Sequence, residues 1–416
     1  MNITPALLEE LHSQYGPSFY LFVKNTFESN LEKFKFELDE IYPNVKIAYS
    51  VKTNYMPAVC KLARQFGAFA EVVSGLEYEV VKKVGFKGDE IIFNGPVKEK
   101  EELWEAFEDG AIVQFDSYEE IKILKNFINK FPKKKVRCAL RCTFDIGEPE
   151  ISRFGFDVDS GEAESVYHEL FMIDGCEPVG IHCHFNTSHR SLDSFYKRTK
   201  RLIETANLIF KERKPEYINI GGGFFGELSH RFKKLFPNNI PSNKEYGEVI
   251  GSLMKNNYPD CDVCLIAEPG VSVVADTMIY ICRVFSIKYI ASKPVITLTG
   301  SIHNIRPNPS DREVPFRIIK GSNHNQKVVD GIIGGYTCLE SDLITSSFSG
   351  EIAAGDYLIF ENTGAYNLVL KPPFIKGSPP IIMTDVNSST GMIDYEVVKI
   401  RESAAMMLAS YKYSDD

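Results

Sequence analysis

VKIAYSVKTNYMPAVCKLARQFGAFAEVVSGLEYEVVKKVGFKGDEIIFN, residues 45–94, holds three short apolar runs (45–51, 68–73 and 90–94) separated by two stretches of helical periodicity (55–66 and 77–84). A bounded apolar run of this length reads as a buried strand, and apolar positions three and four apart read as an amphipathic helix. Strands alternating with helices imply a parallel sheet. The alternation continues downstream. Runs at 111–116, 136–142, 178–185, 217–221 and 264–268 bring the strands to eight, with helical patterns at 99–107, 117–131, 162–173 and 191–211. Eight such units over about 225 residues match a (β/α)8 TIM-like barrel, usually roughly 250 residues long.

Beyond Pro269 the texture changes to β-rich runs at 271–289, 295–298, 317–320, 331–333, 357–360 and 380–383. Turn residues punctuate them, as in Ala354-Gly355-Asp356. This predicts a mostly antiparallel β-barrel or sandwich domain. The run 19–23 precedes the first helical stretch, 26–41, and is an extra strand. The expected division is therefore an α/β barrel over 27–270, with 1–26 and 271–416 forming the C-terminal β domain.

The 416 residues carry 47 basic and 56 acidic groups, a formal charge of −9. That argues against a nucleic-acid partner, which calls for a basic footprint. No apolar stretch reaches membrane-span length. Residues 1–17 include Glu9 and Glu10 and lack a signal-peptide layout, so a cytoplasmic enzyme is expected. The nine cysteines are odd in number and irregularly spaced. Cys138, Cys142, Cys183 and Cys264 lie in apolar runs, where cysteine packs as a small hydrophobe. Cys261-Asp-Val-Cys264 has no second pair at zinc spacing, so no metal site is expected. Reduced thiols fit best.

A barrel carries its active site at the C-terminal ends of its strands. Those ends hold Lys52, Glu71, Asn94, Arg141, His182 and His184, Gly221-Gly222-Gly223 and Glu268. Singly, each has a plain explanation. A lysine after a strand is usually solvated, a lone histidine is usually a core side chain, and a glycine run is usually a flexible loop. So many at one rim call for a common cause. A lysine among apolar groups and cations can form a Schiff base. Consecutive glycines after a strand let backbone amides close on a phosphate. A carboxylate opposite can hold a ring nitrogen protonated. These are the needs of pyridoxal 5′-phosphate. The nucleotide fingerprints are missing.

The motifs resemble those of the fold-type III pyridoxal-phosphate-dependent decarboxylases, the ornithine and diaminopimelate decarboxylase group. Tyr49-Ser-Val-Lys-Thr-Asn54 is similar to Y-A-V-K-A-N, which implies that Lys52 is the Schiff-base lysine. Glu71-Val-Val-Ser-Gly75 resembles D-V-V-S-G, and His182-Cys-His-Phe-Asn-Thr187 resembles H-x-H-x-G-S. By that match His184 stacks on the cofactor ring, and Thr187 replaces a serine near the phosphate. Gly221-Gly222-Gly223 becomes the phosphate loop, and Glu268-Pro-Gly270 supplies the carboxylate for the pyridine nitrogen. Cys338-Leu-Glu-Ser-Asp342 resembles C-E-S-G-D, whose cysteine acts as an acid. Gly364-Ala-Tyr366 resembles D-x-G-A-Y, whose tyrosine binds phosphate. The match runs from about residue 17 to 400 with motifs in order. It implies a head-to-tail homodimer in which Cys338 and Asp342 act in the partner's site.

The departures bear on the substrate. The family's E-P-G-R ends here in Val271, and the acidic residue after the cysteine is Leu339. Glu340 is adjacent but points elsewhere along an extended backbone. Ile305-Arg306-Pro307 resembles an arginine–proline segment that holds a substrate carboxylate. A carboxylate clamp is thus kept and the diamine slot lost, since an ammonium facing Leu339 would lack a partner. The reading is a pyridoxal-phosphate-dependent amino-acid decarboxylase, diaminopimelate decarboxylase-like. Lys52, Cys338 and His184 are its catalytic groups. Glu71, Arg141, Thr187, Gly221, Gly222, Gly223, Glu268, Gly270 and Tyr366 join Lys52 and His184 around the cofactor. Arg306, Leu339, Glu340 and Asp342 face the substrate, a specialised or conjugated amino acid such as those of siderophore or natural-product biosynthesis. The alternatives are an amino-acid racemase on the same fold and a non-catalytic, decarboxylase-like regulatory binding protein.

Overall fold

A computed structural model describes residues 3–148, 152–187, 189–211, 213–228, 230–236, 240–306, 314–321, 326–371, 374–386, 390 and 392–412. The chain separates into two compact units.

The first unit, residues 28–227 and 238–273, is a closed barrel of eight parallel strands. In chain order they are Val45–Ser50, Phe69–Val72, Ile91–Phe93, Ile112–Phe115, Val136–Thr143, Cys176–His182, Tyr217–Asn219 and Cys264–Ala267. Each pairs with its sequence neighbour, and Cys264–Ala267 returns to Val45–Ser50 to close the ring. All eight predicted runs form these strands. They are apolar on both faces because one face packs inside the ring and the other under the helices. Ala48, Ile92, Ile112, Ala139, Val179, Tyr217 and Ile266 fill the interior.

Some of the helices between strands begin on side-chain caps that satisfy their free amides. Ser74 Oγ accepts from the Glu77 amide, and Ser191 Oγ from the Ser194 amide. Ser242 and Glu245 form a reciprocal capping box at the start of Asn243–Asn257. That helix, between the last two strands, was not foreseen from periodicity.

The second unit comprises residues 1–27, 228–237 and 274–416. Its sheet runs Leu343–Glu351, Lys327–Gly334, Lys293–Leu298, Met278–Ile290, Ser18–Val23, Ile381–Val386, Ile393–Lys399, and Tyr357–Phe360 joins Met278–Ile290 to Phe316–Ile319. Most pairings are antiparallel. Ser18–Val23 lies inside this sheet, antiparallel to Met278–Ile290 and parallel to Ile381–Val386. Phe19, Leu21, Ile281, Ile359 and Ile382 pack with Leu8 and Leu11 of an unforeseen helix, Pro5–Tyr15.

The predicted run 271–289 is corrected at its start. Val271–Val274 is a helical turn, because the Val273 amide closes back on Gly270 O at 3.1 Å as the chain leaves the last barrel strand. Leu343–Glu351 and Ile393–Lys399 escaped notice because both are largely exposed and rich in polar residues, so no apolar run marks them.

Candidate active site at the barrel rim

Parallel closure points every strand's C-terminal end at one rim, and register then sets neighbours. Ser50 lies opposite Glu71, Arg141 opposite His182, and His182 opposite Asn219. Lys52 sits one turn beyond the first strand, in the short helix Val51–Thr53. Its Nζ reaches Glu71 Oε1 at 2.8 Å and Oε2 at 2.6 Å. Glu71 is fully buried and also accepts from Ser50 Oγ and, at 3.1 Å, from Asn94 Nδ2.

The Asn94 amide has a second task. It donates to Glu268 Oε1 at 2.8 Å, so one NH2 group bridges two buried carboxylates. Asn219 Nδ2 donates to the same Glu268 oxygen at 2.7 Å, and His182 Nε2 lies 3.5 Å from the other. Burial opposes charge on Glu268. The neighbouring His182, backed by Lys52 and His184, outweighs that, so its carboxyl sits well below the usual carboxylate range. Glu268 is an ionised carboxylate held by fixed donors.

His184 accepts the Gly222 amide at Nδ1, 3.0 Å away. An accepting Nδ1 has a free lone pair, which leaves the ring proton on Nε2 and the ring neutral. Burial first, and then the Lys52 cation, hold its pKa well below the ordinary value, in agreement. Gly221, at a left-handed φ of 69°, is required by conformation and by close approach, and Gly222 by close approach alone. A Cβ would stand 2.4 Å from Cys183 O at Gly221 and 2.4 Å from Glu268 O at Gly222. The Gly221 amide is spent on Asn219 Oδ1 at 2.9 Å. No helix follows directly, since 221–228 is irregular. An anion seated here would therefore meet loop backbone and not a helix terminus.

Arg141 is buried and paired with Asp116 at 3.1 Å. Thr187 is buried. Gly270 lies against Thr53, where a Cβ would overlap Oγ1.

The remaining predicted residues belong to the β unit. Cys338, Leu339 and Glu340 are solvent-exposed, and Cys338 is the only cysteine of the nine that is. Asp342 is instead buried. Its carboxylate accepts from Ser301 Oγ (3.0 Å), the Ile302 amide (2.8 Å), the Thr337 amide (3.0 Å) and Thr337 Oγ1 (2.7 Å). Such a carboxylate ties the turn carrying Arg306 to the loop carrying Cys338, and has no lone pair turned outward to a substrate. Arg306 ends the helical turn Ile302–Ile305, and Pro307 lies outside the described residues. Tyr366 takes a left-handed φ of 64° at the start of Asn367–Leu370.

Sequence reasoning passed over Asn219 and Arg198. Asn219 stands two residues before the glycine run, and a polar side chain ending a buried strand was the signal available. Arg198 interrupts the apolar stripe of its helix between Phe195 and Leu202.

The residues present fit pyridoxal 5′-phosphate: an amine on Lys52, a fixed carboxylate on Glu268, a neutral imidazole on His184 and backbone kept bare of side chains at Gly221–Gly222. A parallel barrel with this rim defines a barrel-type pyridoxal-phosphate enzyme. The family model "Pyridoxal-dependent decarboxylase, pyridoxal binding domain" matches residues 25–275. The chain belongs to that family and is a pyridoxal 5′-phosphate-dependent amino-acid decarboxylase.

It is 28% identical over 375 residues to diaminopimelate decarboxylase of Aquifex aeolicus, covering 87% of this chain and 85% of that one. It is 24% identical over 431 residues to the L-glutamyl-[BtrI acyl-carrier protein] decarboxylase of Niallia circulans, covering 99% and 97%. The crystal structure of diaminopimelate decarboxylase from Methanocaldococcus jannaschii shares the fold, with a TM-score of 0.85 at 22% identity over 98% of this chain and 94% of that one. Among the described residues no helix is long and apolar enough to cross a membrane.

Proposed function

We propose that the enzyme removes the α-carboxyl of a specialised or conjugated amino acid that carries a further carboxylate, and not of free lysine, ornithine or arginine. Leu339 carries this reading. It is 42% exposed beside Cys338, and a leucine there offers no counter-charge to a distal ammonium. The Niallia circulans relative, which acts on a glutamyl group joined to a carrier protein, supports the conjugated class. Arg306 is the expected partner of the substrate carboxylate. All nine cysteines are free, which suits a reducing cytoplasm.

Bound pyridoxal 5′-phosphate supplies the electron sink for the pair left when carbon dioxide departs. The chain does the rest. Lys52 would carry the cofactor, and Glu71, 2.6 Å away, takes the proton that Lys52 must lose to become a nucleophile. Glu268 would keep the ring nitrogen protonated. His184, being neutral, can lie against a cationic ring without repulsion. The Gly221–Gly223 loop and Tyr366 would hold the phosphate, with Thr187 and Arg141 nearby by the family resemblance.

The substrate reading is tested by kcat/KM for carbon dioxide release. Free lysine, ornithine and arginine are expected to lie about 10²-fold below a glutamyl or other carboxylate-bearing conjugate, the cost of an unpaired distal ammonium. Turnover of ornithine or lysine at rates typical of a natural substrate sinks it.

The exposed Cys338 segment further supports a homodimer in which the partner's Cys338 returns the proton to the reacting carbon. Lys52→Arg and Cys338→Ala proteins are each expected to be impaired. If the sites span two copies, mixing them under exchange conditions restores about a quarter of wild-type activity, because half of randomly paired dimers then hold one intact site of two. No recovery on mixing places both groups in one chain's site.

A further inference from the structure

The helix Leu192–Phe210 brings a guanidinium into the interior of the barrel unit. Arg198 is 1% exposed, among the buried Phe195, Leu202 and Ile203. A permanent charge so placed is costly unless an anion or a full set of acceptors compensates it. Among the described residues no carboxylate pairs with it. Its Nη2 donates to Gly222 O at 3.0 Å, its Nε is buried with no acceptor, and its guanidinium carbon stacks 3.3 Å from the centre of the Phe195 ring. Burial pushes its pKa down to about 10, which still leaves it a cation at neutral pH.

The acceptor at Gly222 is informative. The carbonyl of Gly222 and the amide of Gly223 belong to a single peptide group. A cation hydrogen-bonded to the oxygen withdraws electrons from the nitrogen and makes that N–H a stronger donor. The other two amides of the glycine run are already committed, Gly221 to Asn219 Oδ1 and Gly222 to His184 Nδ1. Among the described residues the Gly223 amide has no acceptor. Downstream of Glu268-Pro-Gly270 the chain offers Val271, which brings no charge.

We infer that Arg198 is a positioning residue for the cofactor phosphate, and that it charges the Gly222–Gly223 peptide from behind so that the Gly223 amide binds the dianion. The inference rests on reading Gly221–Gly223 as the phosphate seat. It makes the missing counter-ion of Arg198 the phosphate itself, felt through one peptide group. An arginine that served only to pack Phe195 and pin Gly222 would matter equally for any ligand in the pocket, with or without a phosphate.

The test is a spectroscopic titration of the full-length, cofactor-stripped protein with pyridoxal 5′-phosphate and, separately, with pyridoxal, which lacks the phosphate. Arg198→Met keeps the stem that packs on Phe195 and removes the charge. It is expected to weaken pyridoxal 5′-phosphate about tenfold and to leave pyridoxal within about twofold of wild type. Equal weakening of both ligands, or no weakening of either, overturns the inference. Should Arg198→Met not fold, Arg198→Lys is read by the same criterion, with a smaller selective loss expected.

Gly223→Ala separates the two layers of the argument. If it abolishes the preference for the phosphorylated ligand while Arg198→Met retains it, the seat stands and the role of Arg198 falls. Gly223→Pro removes the Gly223 N–H outright; if it folds and still retains the preference, the seat reading falls and the inference with it.

Discussion

Replacing Lys52 with arginine is expected to lower kcat on the order of 10⁴-fold or more while leaving the fold intact, because it removes the amine proposed to bind the cofactor covalently. The choice of arginine matters. Glu71 is fully buried and ion-paired to Lys52. Alanine would leave that carboxylate with only Ser50 Oγ and Asn94 Nδ2 as donors, at a cost of about 1–3 kcal/mol that confuses chemistry with stability. Arginine preserves a cation beside Glu71 but cannot lose its proton to act as a nucleophile. The checks are turnover, thermal unfolding and reduction with borohydride. The variant should melt near wild type and yield no cofactor fixed to the protein after reduction. Turnover within tenfold of wild type would remove Lys52 from the mechanism.

Much of this was legible because parallel barrel strands are buried on both faces. Against eight uniformly apolar runs, any charged or amide side chain at a strand end stands out, and closure of the ring makes those ends converge. Lys52, Glu71, Asn94, His182 and Glu268 were visible for that reason, although their bonds to one another span up to 174 residues of chain. What stayed hidden had no such contrast. Arg198 lies in a helix, where an arginine reads as solvated until packing shows otherwise. Asp342 looked like a residue for substrate because its segment carries Cys338. That its carboxylate points inward to Ser301, Ile302 and Thr337 depends on a loop fold that no periodicity encodes. The exposed Cys338 segment marks a different limit: if, as proposed, a second copy completes the site, one chain alone shows only an exposed loop there.

Glu268→Gln should lower kcat by about 10²–10³-fold with a much smaller change in KM, the size of effect seen when one preorganised electrostatic contact to developing charge is removed. The geometry explains why the loss would fall on the rate. Glu268 is fixed from two sides by Asn94 and Asn219 at 2.8 and 2.7 Å, both on one oxygen, with the other toward His182. Its charge is thus set in place before any ligand arrives, and on the proposed assignment it would keep a cofactor ring nitrogen protonated. Glutamine can still accept from the two asparagines and still fill the space, so the substrate is bound much as before. It carries no charge, so the pyridinium loses its counter-ion and the electron sink weakens. The variant also tests the assignment of the ring nitrogen's partner. Its bound cofactor should show a shifted absorbance maximum and a changed pH dependence of that band, which loss of a merely structural carboxylate would not produce. A Glu268→Gln enzyme with wild-type kcat and an unchanged cofactor spectrum would mean that the buried carboxylate only braces the rim through Asn94 and Asn219, and that another group protonates the ring.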